Sequence, residues 1–167
     1  MNIGTEHNFT SKEQIEETIR NYSGLVFRTA YQYLKNYHDA QDLTQDVFVA
    51  LVTGKPEFEN NKKLRNWLIT VTLNKCSDLY KSSWRKRTEP LNDEIAINEP
   101  ETYEMMTELW KLPENYRTVL YLHYYMDMTV DEIAAVLGKS RNTVGSWLTR
   151  GRKKLKKILT EGGTYNA

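Results

Sequence analysis

Residues 129–159 read TVDEIAAVLGKSRNTVGSWLTRGRKKLKKIL, and the start and stop signals inside this stretch decide the fold of the C-terminal part of the chain. Thr129 with Glu132 three positions on forms a capping box, and Ile133, Ala134 and Leu137 give the helix it starts one apolar face. Gly138 supplies the left-handed residue that closes a helix. Ser140 caps a second helix at once, on which Val144, Leu148, Gly151, Leu155 and Ile158 recur at helical spacing. The opposite side carries Asn142, Ser146, Thr149, Arg150, Lys153 and Lys157, with short polar groups first, where base edges come within reach, and cations later, where phosphates do. Two helices across a tight turn, with that face on the second, are the layout of a helix-turn-helix whose second helix enters the DNA major groove. Shape alone leaves another reading open, a plain helical hairpin with a solvated cationic face.

Charge placement favours the first reading. The net charge of +1 hides four blocks: residues 1–60 carry 5 basic and 9 acidic side chains, 61–88 carry 8 and 1, 89–137 carry 2 and 11, and 138–167 carry 8 and 1. Two separate basic blocks on an otherwise acidic chain suggest two contacts with one polyanion, and the acidic blocks suit a basic protein partner. A hydrophobic content of 40% excludes wholesale disorder, and no apolar run approaches the roughly 18 residues that span a bilayer. The N-terminus, MNIGTEHNFTSKEQ, has no basic segment followed by an apolar core, so a cytoplasmic location is expected. The single cysteine, Cys76, has no internal partner and reads as a small buried hydrophobe.

Upstream, Ser11 and Gln14 make a capping box for a long first helix reaching about Lys35, with Ile15, Ile19, Tyr22, Val26, Thr29, Ala30, Tyr33 and Leu34 in helical period. Asn36 to His38 read as a turn, and Asp39 is the expected cap of a second helix that Gly54 and Pro56 stop near Thr53. Its buried stripe is Ala40, Leu43, Val47, Ala50 and Leu51. Asp42, Gln45 and Asp46, at i, i+3 and i+4, meet on another surface alongside Phe48, Val49 and Val52. Apolar groups mixed with carboxylates suggest docking of a protein that carries basic residues, while packing of Phe48 and the valines on a neighbouring helix remains an equal reading.

Residues 54–61 form a polar loop with Phe58 as an exposed aromatic, and a third helix runs from about Lys62 to Trp84. Two flanks of it are apolar: Leu64, Leu68, Val71 and Leu79 on one, Ile69, Leu73, Cys76 and Tyr80 on the other. The remaining stripe, Asn66, Thr70, Asn74, Ser77 and Lys81 beside Trp67, leads into Trp84, Arg85, Lys86 and Arg87. Amides, hydroxyls and an aromatic ring next to cations are what unpaired bases stack on and bond to, although Trp67 taken alone reads better as a core residue. Two prolines and a run of acids then break all periodicity. The expected organisation is all-α, with a domain at 1–87, a flexible acidic linker at 88–103 and a helix-turn-helix domain at 104–167. In the last, Met105, Met106, Leu109 and Leu112 give a short helix before Pro113, and Val119, Leu120, His123 and Tyr124 give another, with His123 packed rather than ligating.

Over nearly its whole length the chain resembles bacterial RNA polymerase sigma factors of the extracytoplasmic-function type, in the sigma-70 family. Three segments carry the likeness: DAQDLTQDVFVAL at 39–51, LRNWLITVTLNKCSDLYKSSWRKR at 64–87, and the stretch from Leu112 to Leu155. The resemblance implies that Asp42, Gln45, Asp46 and Phe48 face core RNA polymerase. It implies that Phe58, Asn60 and Asn61 belong to a loop that captures a flipped base of the promoter −10 element, beside Asn66, Trp67, Thr70, Asn74 and Lys81, with Arg85, Lys86 and Arg87 beyond. It places Ser140, Arg141, Asn142, Thr143, Ser146, Trp147 and Arg150 at the −35 element, with Lys139, Arg152 and Lys153 nearer phosphates. Two departures stand out: Asp46 where glutamate is common, and Trp147 where a basic residue is frequent.

The implied function is transcription initiation: docking on core polymerase, reading of promoter DNA, and control by an anti-sigma factor that is often membrane-bound. No cofactor, metal or small-molecule substrate and no membrane insertion is expected. A free-standing repressor or activator that binds duplex DNA as a dimer is the rival within DNA binding. The enzyme reading fails at its best motif. Gly138-Lys139-Ser140 mimics the end of a phosphate-binding loop, but the first glycine of that motif would fall at Ile133, inside an apolar helix.

Overall fold

The computed structural model describes residues 11–83 and 106–161, and every regular element among them is helical. The chain divides into two compact units, Met1–Leu91 and Asn92–Ala167. The expected linker at 88–103 and the basic residues Arg85, Lys86 and Arg87 lie outside the described residues.

The first unit is three helices, α1 (Lys12–Leu34), α2 (Tyr37–Gly54) and α3 (Asn61–Ser83), each packed on the other two. Ser11 Oγ accepts from the Gln14 N–H at 3.2 Å and starts α1. Its last turn is enclosed on all sides, with Ala30, Tyr31, Gln32, Tyr33 and Leu34 all buried. Lys35 then turns left-handed (φ 57°) and its N–H returns to the Tyr31 carbonyl at 2.9 Å. The cap of α2 is Asn36, whose side chain accepts from the Asp39 N–H at 2.9 Å, and not Asp39 as expected. The helix begins three residues earlier, so Asp39 sits in its first turn, where a carboxylate meets the positive end of the helix dipole. At the far end the left-handed residue is Lys55 (φ 44°), just after Gly54.

Phe48 joins Ala40, Leu43, Val47 and Leu51 among the buried residues of α2, at 6% exposure, while Val49 stands 60% exposed. Asn60 caps α3 through the Lys63 N–H at 2.9 Å. Leu64, Leu68, Ile69, Thr72, Leu73 and Cys76 are buried on one broad arc of α3 in place of the two flanks expected, and Tyr80 is exposed. Thr72 fits that arc because its hydroxyl donates to the Leu68 carbonyl at 2.6 Å. Phe58 is buried, contrary to the expectation of an exposed ring: it meets Trp67 edge-on at 5.7 Å between centroids and 62° between planes.

One buried amide stands out. Gln32 is fully buried with neither Nε2 nor Oε1 hydrogen-bonded. Leaving such a group unpaired costs about 1–3 kcal/mol. Gln32→Met, which keeps the length and removes the amide, is expected to raise the thermal midpoint of this unit, at about 4–8 °C per kcal/mol for a domain of this size. A lowered midpoint in a circular-dichroism melt would show that the amide has a partner in solution.

In the second unit, α4 (described at residues 106–109) buries Met106 and Leu109 and ends ahead of Pro113. Helix α5 (Glu114–Leu120) runs straight into a π-helical turn at Tyr121–Tyr125. The wider turn shifts the phase of the side chains, so Tyr121 and Leu122 are buried, whereas the expected His123 and Tyr124 are half-buried and exposed. His123 Nδ1 lies 2.8 Å from the Met128 carbonyl, spanning the loop in which Asp127 is left-handed (φ 52°). Helix α6 (Val130–Leu137) follows, then α7 (Arg141–Glu161), with α7 packed on both α5 and α6. No described helix is long and apolar enough to cross a membrane.

Candidate nucleic-acid and partner interfaces

The α6–α7 hairpin is built by three local signals. Thr129 Oγ1 accepts from the Glu132 N–H at 3.2 Å, Gly138 takes φ 63° at the end of α6, and Ser140 Oγ accepts from the Thr143 N–H at 3.1 Å to start α7. Ile133 and Val136 from α6 are buried, as are Val144, Leu148 and Gly151 from α7; Leu155 and Ile158 are half-buried. Burying that stripe turns Asn142, Ser146, Thr149, Arg150 and Lys153 outward, and all five are exposed. Arg141, Asn142, Gly145, Ser146, Thr149 and Arg150 line one shallow concavity, which Val130 of α6 completes.

The other residues expected at the −35 element divide by role. Lys139 is exposed in the turn. Ser140 and Thr143 are committed to each other, Oγ to Oγ1 at 2.8 Å, and hold the cap. Arg152 Nη1 donates to the Tyr124 hydroxyl at 2.9 Å, which fixes that guanidinium on the flank of α7. Trp147 is half-buried in the same helical stripe as Gly151 and Lys154, both of which meet Tyr116 of α5. It therefore lies away from the centre of the exposed face.

On α3 the structure brings Phe58, Trp67, Asn66 and Thr70 together at one end. Trp67 is half-buried behind the Phe58 edge, and the Thr70 hydroxyl donates to the Asn66 carbonyl at 2.8 Å. Asn66 Oδ1 is buried without a hydrogen bond. Asn60 is occupied in capping, Asn61 and Asn74 are exposed, and Lys81 lies fourteen residues beyond Trp67, about 21 Å along the helix.

The third face belongs to α2. Asp42, Gln45 and Asp46 are exposed on it, and beside them an apolar groove runs between α1 and α2, lined by Ile19, Gln45, Phe48, Val49 and Val52 among others. Phe48 forms part of that groove while being almost fully covered. Ile19, 36% exposed, is a groove residue that shares the helical period of the buried residues of α1. The apolar periodicity of α1 continues through it, and only the course of α2 leaves it uncovered.

Comparison with known proteins gives the family and the fold of both units. A family model described as Sigma-70 region 2 matches residues 18–86, and one described as Sigma-70, region 4 matches residues 104–155. The RNA polymerase sigma factor YlaC of Bacillus subtilis is 28% identical over 163 residues, covering 90% of this chain and 94% of that one. The ECF RNA polymerase sigma factor SigW of the same organism is 26% identical over 160 residues, covering 84% and 86%. CnrH of Cupriavidus metallidurans is 31% identical over 140 residues, covering 72% and 73%. The solved structure of CnrH in complex with the cytosolic domain of CnrY matches with a TM-score of 0.70 at 25% identity, over 93% of each chain. The sigma factor RpoE from Bartonella quintana, solved with the anti-sigma factor NepR, has the same fold at 18% identity, with a TM-score of 0.71 over 89% of this chain and 98% of that one.

Proposed function

The chain belongs to the sigma-70 family of RNA polymerase sigma factors, in its extracytoplasmic-function group, and from that membership we propose a division of labour between its two units. The first unit docks on core polymerase through Asp42, Gln45, Asp46 and the apolar groove beside them. The stripe on α3 from Trp67 to Lys81, with Phe58 of the preceding loop behind the tryptophan, takes the −10 element as its bases unstack. The second unit seats α7 in the major groove at −35. The observation that supports this most is the pairing, in one chain, of an exposed polar-to-cationic face on α7 with an acidic and apolar face on α2.

The physics of each step follows from those faces. Asn142, Ser146 and Thr149 are short enough to meet base edges, and Arg150 and Lys153 neutralise phosphates with release of counterions, so binding weakens steeply with salt. Unpairing a −10 base costs a few kcal/mol, offset by stacking and by hydrogen bonds to its exposed edges. Phe58 is buried against Trp67, so its part in this step is to back the tryptophan rather than to stack on the base itself. The chain catalyses no covalent chemistry and works in the cytoplasm. An anti-sigma factor, the kind of partner with which RpoE was solved, holds it off by covering the α2 face.

Run-off transcription with the full chain and bacterial core polymerase tests the proposal. Arg150→Ala is expected to lower the transcript roughly tenfold or more by loosening the −35 contact, while co-purification with core polymerase survives. Unchanged transcript would move the −35 contact off this face. A gel shift in which the chain alone binds duplex DNA as tightly as it does with core polymerase would favour a free-standing repressor instead.

A further inference from the structure

Resting on the −35 reading above, we propose that Asp131 and Arg141 form a base reader assembled from two helices: Asp131 aims the Arg141 guanidinium at a guanine, and its carboxylate accepts from the exocyclic amino group of a neighbouring base. Arg141 is the first residue of α7, the end that enters the groove in a helix-turn-helix. Its Nη1 reaches back across the turn to Asp131 Oδ1 in the first turn of α6, at 3.5 Å. Val130, next to Asp131, lines the same concavity as Arg141, Asn142 and Arg150, so the first turn of α6 belongs to the face that meets DNA.

Stability does not explain the pair. The two side chains are 72% and 69% exposed, and ion pairs that open to water contribute little. What the contact supplies is orientation. An arginine reads guanine through two parallel bonds to O6 and N7, which requires the plane of its fork to be set, and a carboxylate at one edge sets it while leaving the other N–H groups forward.

The sign of the charge carries the second half of the inference. Asp131 stands at the rim of a cationic surface that approaches a polyanion, where a carboxylate is repelled by every phosphate it nears. Phosphates offer it no hydrogen. Among base edges in the major groove, only the amino groups of cytosine and adenine do, whereas guanine O6 and thymine O4 repel it. A carboxylate at that place therefore favours one subset of sequences and penalises the rest.

The test uses holoenzyme reconstituted from the full chain and bacterial core polymerase on a promoter library randomised through the −35 region, with transcripts sequenced. One position is expected to be held as guanine by the wild-type chain, and Arg141→Ala and Asp131→Asn each to relax that same position roughly tenfold. Asp131→Asn should also relax the amino-bearing position beside it and leave the remaining preferences in place. An unchanged guanine preference in Asp131→Asn overturns the proposal. So does a uniform rise in transcript across all sequences, which would make Asp131 an electrostatic brake only. Asn142→Ala, at a side chain set against base edges in the −35 reading, is the separate arm. If it shifts −35 preferences while the other two variants do not, the pair alone is refuted; if none of the three shifts them, the placement of α7 at −35 is at fault.

Discussion

Asp42→Lys combined with Asp46→Lys is expected to leave the chain folded and to remove it from core polymerase, with affinity falling about a thousandfold or more and co-purification lost. Both carboxylates are exposed on α2 and neither has an ion-pair partner among the described residues, so reversing them breaks no internal contact. The pair lies on one surface of the helix with Gln45, beside a groove in which Val49 is 60% exposed. An apolar strip with acids along one edge fits a partner that carries apolar anchors and basic residues together. Turning two negative charges into two positive ones then replaces attraction with like-charge contact over a partly desolvated interface, where the penalty is several kcal/mol. The effect is read by fluorescence anisotropy of labelled chain titrated with core polymerase, with a far-ultraviolet circular-dichroism spectrum to show that helix content is kept. Retained binding would place the docking face elsewhere on the chain.

How much of this was legible in the sequence depended on how local each signal is. The α6–α7 hairpin was, because Thr129, Gly138 and Ser140 act within three or four residues of themselves, and all three took the expected places. The cap of α2 was not. Asn36 and Asp39 are both good capping residues, and the choice between them is made by where the buried end of α1 delivers the chain. Phe58 reads as exposed from its polar neighbours, and only the return of α3 brings Trp67 against it. A period of 3.6 puts His123 and Tyr124 on an apolar face, and a π-helical turn does not obey that period. The candidate site divides in the same way. The outward face of α7 follows from one helix and its stripe. The groove at Ile19 and Val49 exists only between two helices, and the contact of Asp131 with Arg141 joins residues on separate ones.

Gly151→Leu is expected to unfold the second unit at a temperature about 10 °C or more below that of the wild-type chain, and to abolish −35 reading while binding to core polymerase through the first unit persists. Gly151 is buried where α7 crosses α5. A Cβ placed there meets Leu120 Cδ1 at 3.1 Å, Leu120 Cγ at 3.3 Å and Tyr116 Cβ at 3.3 Å. The Leu120 methyl can swing aside, but Tyr116 Cβ is fixed to the backbone of α5 and cannot give way without moving the helix. Alanine would recover about 1 kcal/mol of helix propensity against that crowding, so its net effect is small. Leucine adds three further carbons to a closed contact, and overpacking of that kind costs roughly 1–3 kcal/mol or more. In a unit this small the cost is a large part of the total stability, at about 4–8 °C per kcal/mol. Separating α7 from α5 also uncovers Leu120 and Leu148 and frees the exposed face of α7 from its fixed orientation, which is why DNA reading should fail along with the fold. A melt followed by circular dichroism on the full chain should show helix signal lost in an earlier step than in the wild type. A melt that superimposes on the wild-type curve would mean that α7 is held in place by α6 alone.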